Sequence, residues 1–215
     1  MTRFFFDFIL CIKNENAKEM IIKHITTLAA GHPFRESIKN ALDGDTAVVQ
    51  MKDVDAEKGL DSANLYRVHL TGRKNPDYLQ RGDILFVGRG YRIFAVLIDQ
   101  DLENTVAGPH FFILRIKPNL QHVRPDYLAW YINHKQAQRY FSQHVAGTAL
   151  PHVNRGTLEN LPVIVPPLEI QERIVKLHSC RLKEKALLEK LIDKKKQFLD
   201  ELLDKTLEQY QEDNA

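Results

Sequence analysis

The feature that most constrains this chain is a run without a helix breaker. Residues 168–210 contain neither Gly nor Pro, are rich in Leu, Lys and Glu, and follow directly on Pro166-Pro167. Such a stretch reads as one continuous helix, about 60 Å long at 1.5 Å per residue. That exceeds what a small globular body can cover, so the helix is expected to reach beyond its own domain. Its apolar residues Ile170, Ile174, Leu177, Leu188, Leu191, Phe198 and Leu202 recur at spacings of three and four and form the expected subunit interface. Arg181, Glu184 and Lys195 interrupt the stripe, and Leu187, Ile192, Leu199 and Leu203 widen it. A wide, interrupted stripe implies packing against more than one helix rather than a strict two-stranded zipper.

The residues before the double proline have a different texture. Short β-rich runs, 46–51 (TAVVQM), 84–87 (ILFV), 93–98 (IFAVLI), 111–116 (FFILRI) and 163–165 (VIV), are separated by Gly, Pro and Asp turn signals and read as strands. One helix is expected over 126–142, opened by Pro125, with Tyr127, Trp130, His134, Ala137 and Phe141 on one stripe. The aromatic residues Trp130, Tyr131 and Phe141 are therefore expected in the core and not as stacking platforms for single strands. The fold class is α+β: a β-rich domain with a few helices, then one long coiled-coil-type helix. The expected divisions are residues 1–20, an apolar segment packing on the domain; 21–166, the domain; and 167–211, the helix. Residues 1–12 are apolar, but Asp7 interrupts them and Lys13-Asn14-Glu15-Asn16 follows without a small-residue cleavage site. They read as a buried strand or helix and not as a signal peptide.

Charge separates the same two regions. Residues 1–155 carry 20 basic and 16 acidic side chains, and residues 156–215 carry 10 and 12. Within 81–155 the balance is 9 to 5, and seven of the nine are arginine, the residue that forks onto phosphate or guanine edges. Cys11 and Cys180 match no metal or redox spacing, which points to a reduced, cytoplasmic protein, and no run is long enough for a membrane span. Recognisable catalytic patterns are missing. There is no phosphate-binding Gly-Lys-Ser/Thr loop and no His-Glu-x-x-His, and Gly88-Arg89-Gly90 does not continue into a dinucleotide fingerprint. Pro166-Pro167 lacks the preceding Asp or Asn and the following aromatic residue of an amino-methyltransferase. The nine histidines show no metal spacing. No catalysis, metal or cofactor is expected of the chain itself.

Four segments, in order, resemble the specificity subunits of type I restriction-modification systems. They are Gly31-His32-Pro33-Phe34-Arg35 with Asp43-Gly44-Asp45 and Val48-Val49-Gln50-Met51-Lys52-Asp53; then Arg81-Gly82-Asp83-Ile84-Leu85-Phe86-Val87-Gly88-Arg89-Gly90; then Val106 through Phe111-Phe112-Ile113-Leu114-Arg115 to Tyr127-Leu128-Ala129-Trp130-Tyr131-Ile132-Asn133. The fourth and most specific runs from Leu158-Glu159-Asn160-Leu161 through Pro166-Pro167-Leu168-Glu169-Ile170-Gln171 to Ile174-Val175. Together they cover residues 25–205. The resemblance implies a target-recognition domain that binds double-stranded DNA and a spacer helix. Methylation with S-adenosylmethionine would belong to a separate modification subunit, and ATP and Mg to a restriction subunit that joins the assembly. Family members usually carry two such domains and two helices. A chain with one of each implies an isologous homodimer through antiparallel helices, reading a split target.

DNA contacts need donors on loops that can enter a groove, and basic groups for phosphates. Arg89, Tyr91 and Arg92 on the glycine-flanked segment are the first candidates, the alternative being a solvated surface hairpin. Arg35 either contacts phosphate or pairs with Asp53. Lys52 ends a strand and either reaches DNA or caps the strand. Thr148, His152, Asn154 and Arg155 lie on a polar loop that, by the resemblance, stands near the recognition face. Two other readings use the same features: a free-standing DNA-binding regulator, and a protein-interaction adaptor acting through the coiled-coil helix.

Overall fold

A computed structural model describes residues 17–70, 76–90, 92–144 and 152–213. Within it the contacts divide the chain into two units, Met1–Glu172 and Arg173–Ala215.

The first unit, the head, opens with β1 (Lys18–Ile21), α1 (Ile22–Ile25) and β2 (Thr26–Ala30). β3 (Thr46–Val49), a 3-10 turn (Met51–Asp53), the hairpin β4 (Val54–Asp55) and β5 (Gly59–Leu60), and β6 (Tyr66–Val68) follow. Next come β7 (Ile84–Val87), β8 (Phe94–Leu97), β9 (Thr105–Ala107) and β10 (Phe111–Ile116). Three helices, α2 (Pro125–Asn133), α3 (Lys135–His144) and α4 (Arg155–Glu159), precede β11 (Pro162–Val165) and the long α5 (Leu168–Asp213).

The central sheet is antiparallel in the order β2-β10-β7-β8. Its inner strand β7 is buried on both faces, which is why 84–87 reads as an unbroken apolar run instead of an alternating one. On one face Leu85, Val87, Val96, Phe111 and Ile113 pack with Val49 and Ala107 from the second sheet. Phe86 meets Phe141 of α3 at 5.3 Å between ring centres. The second sheet has the order β6-β3-β9, with β3 and β9 parallel. Both edges of the central sheet are engaged by side chains. Asn133 exchanges two hydrogen bonds with the Ala95 backbone (2.8 and 2.7 Å), and Arg155 donates to the Leu28 carbonyl (3.0 Å).

Two expectations are corrected. The helix expected over 126–142 is two helices. His134 adopts an extended ψ of 154°, its N–H folds back to Tyr131, and its ring stacks on Trp130 at 4.7 Å. Each helix thereby presents its own face to the sheet: Tyr127, Leu128, Tyr131 and Ile132 from α2, Ala137 and Phe141 from α3. The strand expected over 46–51 stops at Val49, because Gln50 and Asp53 close a reciprocal capping box around the 3-10 turn. Lys52 therefore lies in a turn and not at a strand end. Sequence patterning also passed over β1, β2, β6 and β9, which have three to five residues each.

The double proline leads into α5 through a buried joint. Gln171 is 0 % exposed, accepts the Arg124 N–H (2.9 Å) and donates to the carbonyls of His122 (2.8 Å) and Pro166 (2.7 Å). One buried side chain thus satisfies three backbone groups from two segments of the chain.

The second unit carries the rest of α5. Along it Leu177, Leu187, Leu188, Leu191, Ile192, Phe198, Leu199, Leu202 and Leu203 are exposed, Leu177 at 71 % and Phe198 at 62 %. Of the expected interface residues only Ile170 and Ile174, near the joint, are half-buried. No helix among the described residues is long and apolar enough to cross a membrane.

Candidate nucleic-acid interface

Strand directions decide which loops can meet. The register pairs Phe112 with Ala30, Phe111 with Val87, and Val87 with Phe94. The chain leaving β2, the chain entering β10, and the β7–β8 connection therefore share one end of the central sheet. β3 and β9 end there too, since the Gly108 N–H donates to Val49 (2.8 Å) and the His32 N–H to Ala107 (2.7 Å). The segments carrying Arg35, Lys52, Arg89, Arg92 and His110 thus emerge together from parts of the chain up to 75 positions apart.

Two local constructions organise this end. In the first, residues 34, 36–38, 50–52 and 108–111 line a cleft of about 440 Å³, walled by Phe34, Ile38, Met51 and Phe111 with Gln50, Lys52 and His110. Gly31 makes it possible, because a Cβ there would collide with the Gly108 carbonyl oxygen. In the second, Arg89 forms a β-bridge with His152, and the Val153 N–H donates to Gly88 (2.7 Å). Gly90 turns the chain at φ +107°, a conformation that favours glycine. Gly88 and Arg89 are therefore neighbours of His152 and Val153.

The candidates fall into distinct classes. Arg35 and Arg89 are exposed and enter no hydrogen bond or ion pair among the described residues, and Arg35 does not pair with Asp53. The Asp53 carboxylate instead accepts the Gln50 N–H at 2.8 Å. Arg92 is exposed near Asp55, whose carboxyl is held below its ordinary range by the N–H groups of Glu57 and Lys58, with the Arg92 charge adding to them. The Lys52 ammonium sits 3.3 Å from the centre of the Tyr66 ring, so it is oriented without being neutralised. Asn154 and Arg155 are engaged within the fold: Asn154 caps α4 by accepting the Thr157 N–H (2.8 Å), and Arg155 pairs with Glu159 (2.8 Å) while bracing β2. Tyr91 and Thr148 lie outside the described residues.

Sequence reading passed over Gln50. Its side-chain oxygen is held by the capping box, and its Nε2 is buried with no partner among the described residues, beside the cleft. The available signal was a polar residue directly following a fully buried strand. Other arginines serve the scaffold. Arg115 forks onto Asp83, itself 1 % exposed, with both contacts at 2.7 Å, and the Asp83 carboxylate raises the guanidinium pKa. No cluster of His, Cys, Asp or Glu that could hold a metal ion exists among the described residues.

The order of β-rich head, buried Gln171 joint and long exposed helix coincides with a known family, described as type I restriction modification DNA specificity domain, which matches residues 14–194. The chain belongs to this family. Solved structures agree at the level of fold. The HsdS subunit from Thermoanaerobacter tengcongensis matches with a TM-score of 0.53 and 19% identity over 82% of this chain and 43% of its own. A chain from a structure titled for complex assembly and conformational transition of the type I R-M system matches with a TM-score of 0.55 and 16% identity, over 81% and 40%. This specificity-domain chain thus spans about two fifths of the length of those relatives. No curated protein matches it.

Proposed function

We propose that this chain is a non-catalytic, sequence-reading subunit of a type I restriction-modification DNA methyltransferase, each copy reading one half of a divided double-stranded target. The observation that carries the reading is the gathering of Arg35, Lys52, Arg89 and Arg92 at one end of two sheets, with the Arg35 and Arg89 side chains making no hydrogen bond or ion pair among the described residues. Free guanidinium groups on loops can fork onto guanine edges, each good pair contributing roughly 1–3 kcal/mol of discrimination, while Lys52 is suited to a phosphate. His152 shares the bridge with Arg89 and so stands beside the same surface. Tyr91 and Thr148 complete the candidate set from sequence, whereas Asn154 and Arg155 act first as scaffold.

In this reading α5 is the spacer. Its exposed stripe pairs antiparallel with that of a second copy, which sets two heads a fixed distance apart and makes the target bipartite and palindromic. A modification subunit supplies S-adenosylmethionine chemistry, a restriction subunit that joins the assembly brings ATP and Mg, and the complex works in the cytoplasm. The test is co-expression with the cognate methyltransferase subunit, followed by mapping of methylated adenines across host DNA. A palindromic motif with an unspecified central gap is expected. Methylation independent of this chain, or at an undivided site, overturns the reading.

A further inference from the structure

The stripe on α5 carries information about its own partner. Positions 177, 181, 184, 188, 191, 195, 198 and 202 follow a strict alternation of four and three, so they lie along one face of the helix. Three of them are charged: Arg181, Glu184 and Lys195. None of the three makes an ion pair among the described residues. A charge in the seam of a helix pair is costly unless it meets its opposite, so these positions restrict which pairings can form.

Parallel self-pairing sets each residue against itself and creates three like-charge layers, Arg181 on Arg181, Glu184 on Glu184 and Lys195 on Lys195. Antiparallel pairing in one register removes all three conflicts. When 184 faces 195, position 188 faces 191, position 177 faces 202, and position 181 faces 198. The layers become Glu184–Lys195, Leu188–Leu191, Leu177–Leu202 and Arg181–Phe198. Each occurs twice by symmetry, and the last places a guanidinium over an aromatic ring. Slipping by one heptad either way undoes this. One slip sets Glu184 on Leu188 and Lys195 on Leu177; the other sets Lys195 on Leu191 and Arg181 on Lys205.

The net charge along the helix favours the same direction. Residues 173–190 hold six basic and two acidic side chains, and residues 197–213 hold one basic and six acidic. This gradient does not serve the isolated helix, whose last turn has no basic residue to complement its dipole. It does serve a second copy laid head to tail, where the basic first stretch of each copy meets the acidic last stretch of the other.

We propose that, within the two-copy arrangement above, α5 pairs in the one register that sets Glu184 of one copy against Lys195 of the other, so that the charges in the seam select the alignment. This rests on the two-copy reading above and adds its register and its charge code. The experiment uses the full chain without DNA, with association followed by sedimentation equilibrium and folding by circular dichroism and Trp130 fluorescence. Glu184→Lys and Lys195→Glu are made separately. Each keeps a good helix former at an exposed position and is expected to weaken self-association at least about tenfold, because like charges then face each other twice. An equimolar mixture of the two variants restores opposite charges in both layers and is expected to recover dimers at near wild-type affinity. If the wild type dimerises but the mixture does not recover, the register is wrong. If the wild type stays monomeric at micromolar concentration, the two-copy reading itself fails.

Discussion

In the head, Phe86, Phe111 and Phe141 are below 2 % exposed, whereas on α5 Phe198 is 62 % exposed and Leu177 71 %. The head folds its apolar residues onto each other and commits polar groups such as Asp83, Asn133 and Gln171 to named partners. The helix satisfies its backbone locally and leaves its apolar side chains in water. The same residue type therefore has different consequences in the two regions. A phenylalanine in the head contributes to folding, and one on the helix is left, in the proposed two-copy arrangement, for association. Arginines divide in a parallel way, Arg115 and Arg155 holding the scaffold while the Arg35 and Arg89 side chains have no polar partner among the described residues.

The contrast can be broken most severely on the helix. Leu188→Asp combined with Leu191→Asp puts charge at the centre of the seam and should weaken self-association more than about a hundredfold, with head melting unchanged. Loss of head stability in that variant would show that α5 serves as core and not as an interface.

Phenylalanine truncation sharpens the difference. Phe86→Ala should destabilise the head by about 3–5 kcal/mol in chemical denaturation, since it empties a position packed against Phe141. Phe198→Ala should change intrachain stability by less than about 0.5 kcal/mol and act only on association.

The arginine contrast predicts a smaller, two-sided result. Arg115→Ala strands the buried Asp83 carboxylate and should cost about 2–3 kcal/mol of stability. Arg89→Ala should leave stability within about 0.5 kcal/mol and weaken binding of the assembled methyltransferase to its mapped site. If Arg89 meets phosphate, the slope of log affinity against log salt falls by about one; if it reads a base, discrimination at one position relaxes.

The smallest effect is a pH dependence confined to the head. Burial, with Lys135 nearby, lowers the pKa of His134 from 6.5. A group whose folded pKa is depressed contributes stability above its unfolded pKa, and that stability is lost as pH falls. Acidification from pH 7 to 5 should therefore lower the head's denaturation midpoint, and His134→Gln should reduce the loss. An unchanged pH profile in that variant would assign the effect to other groups.

Legibility followed the range of the interactions. The long helix was readable because helical hydrogen bonds are local and residues 168–210 hold no breaker, and the structure extends the helix to Asp213. Buried strands such as 84–87 and 111–116 were readable because continuous apolar runs have few other uses. The short β1, β2, β6 and β9 were not, since such strands owe their existence to partners far away: β1 pairs with β11 about 145 residues later. The break at His134 was equally hidden. Its neighbours keep a helical apolar pattern, and the turn is fixed by the docking of Asn133 onto the edge of β8.

The candidate site divides along the same line. Sequence alone determined the residue types and loops, the glycines at 31, 88 and 90, and the family, because these depend on local chemistry and ordered motifs. Only the tertiary structure decided which basic groups are engaged by the scaffold. Asn154 and Arg155 look as suitable as Arg89 in sequence, yet the first caps a helix and the second braces β2 from 127 positions away. Whether a side chain is spent or free depends on what the fold brings within about 3 Å of it, and that proximity is set by strand register between distant segments.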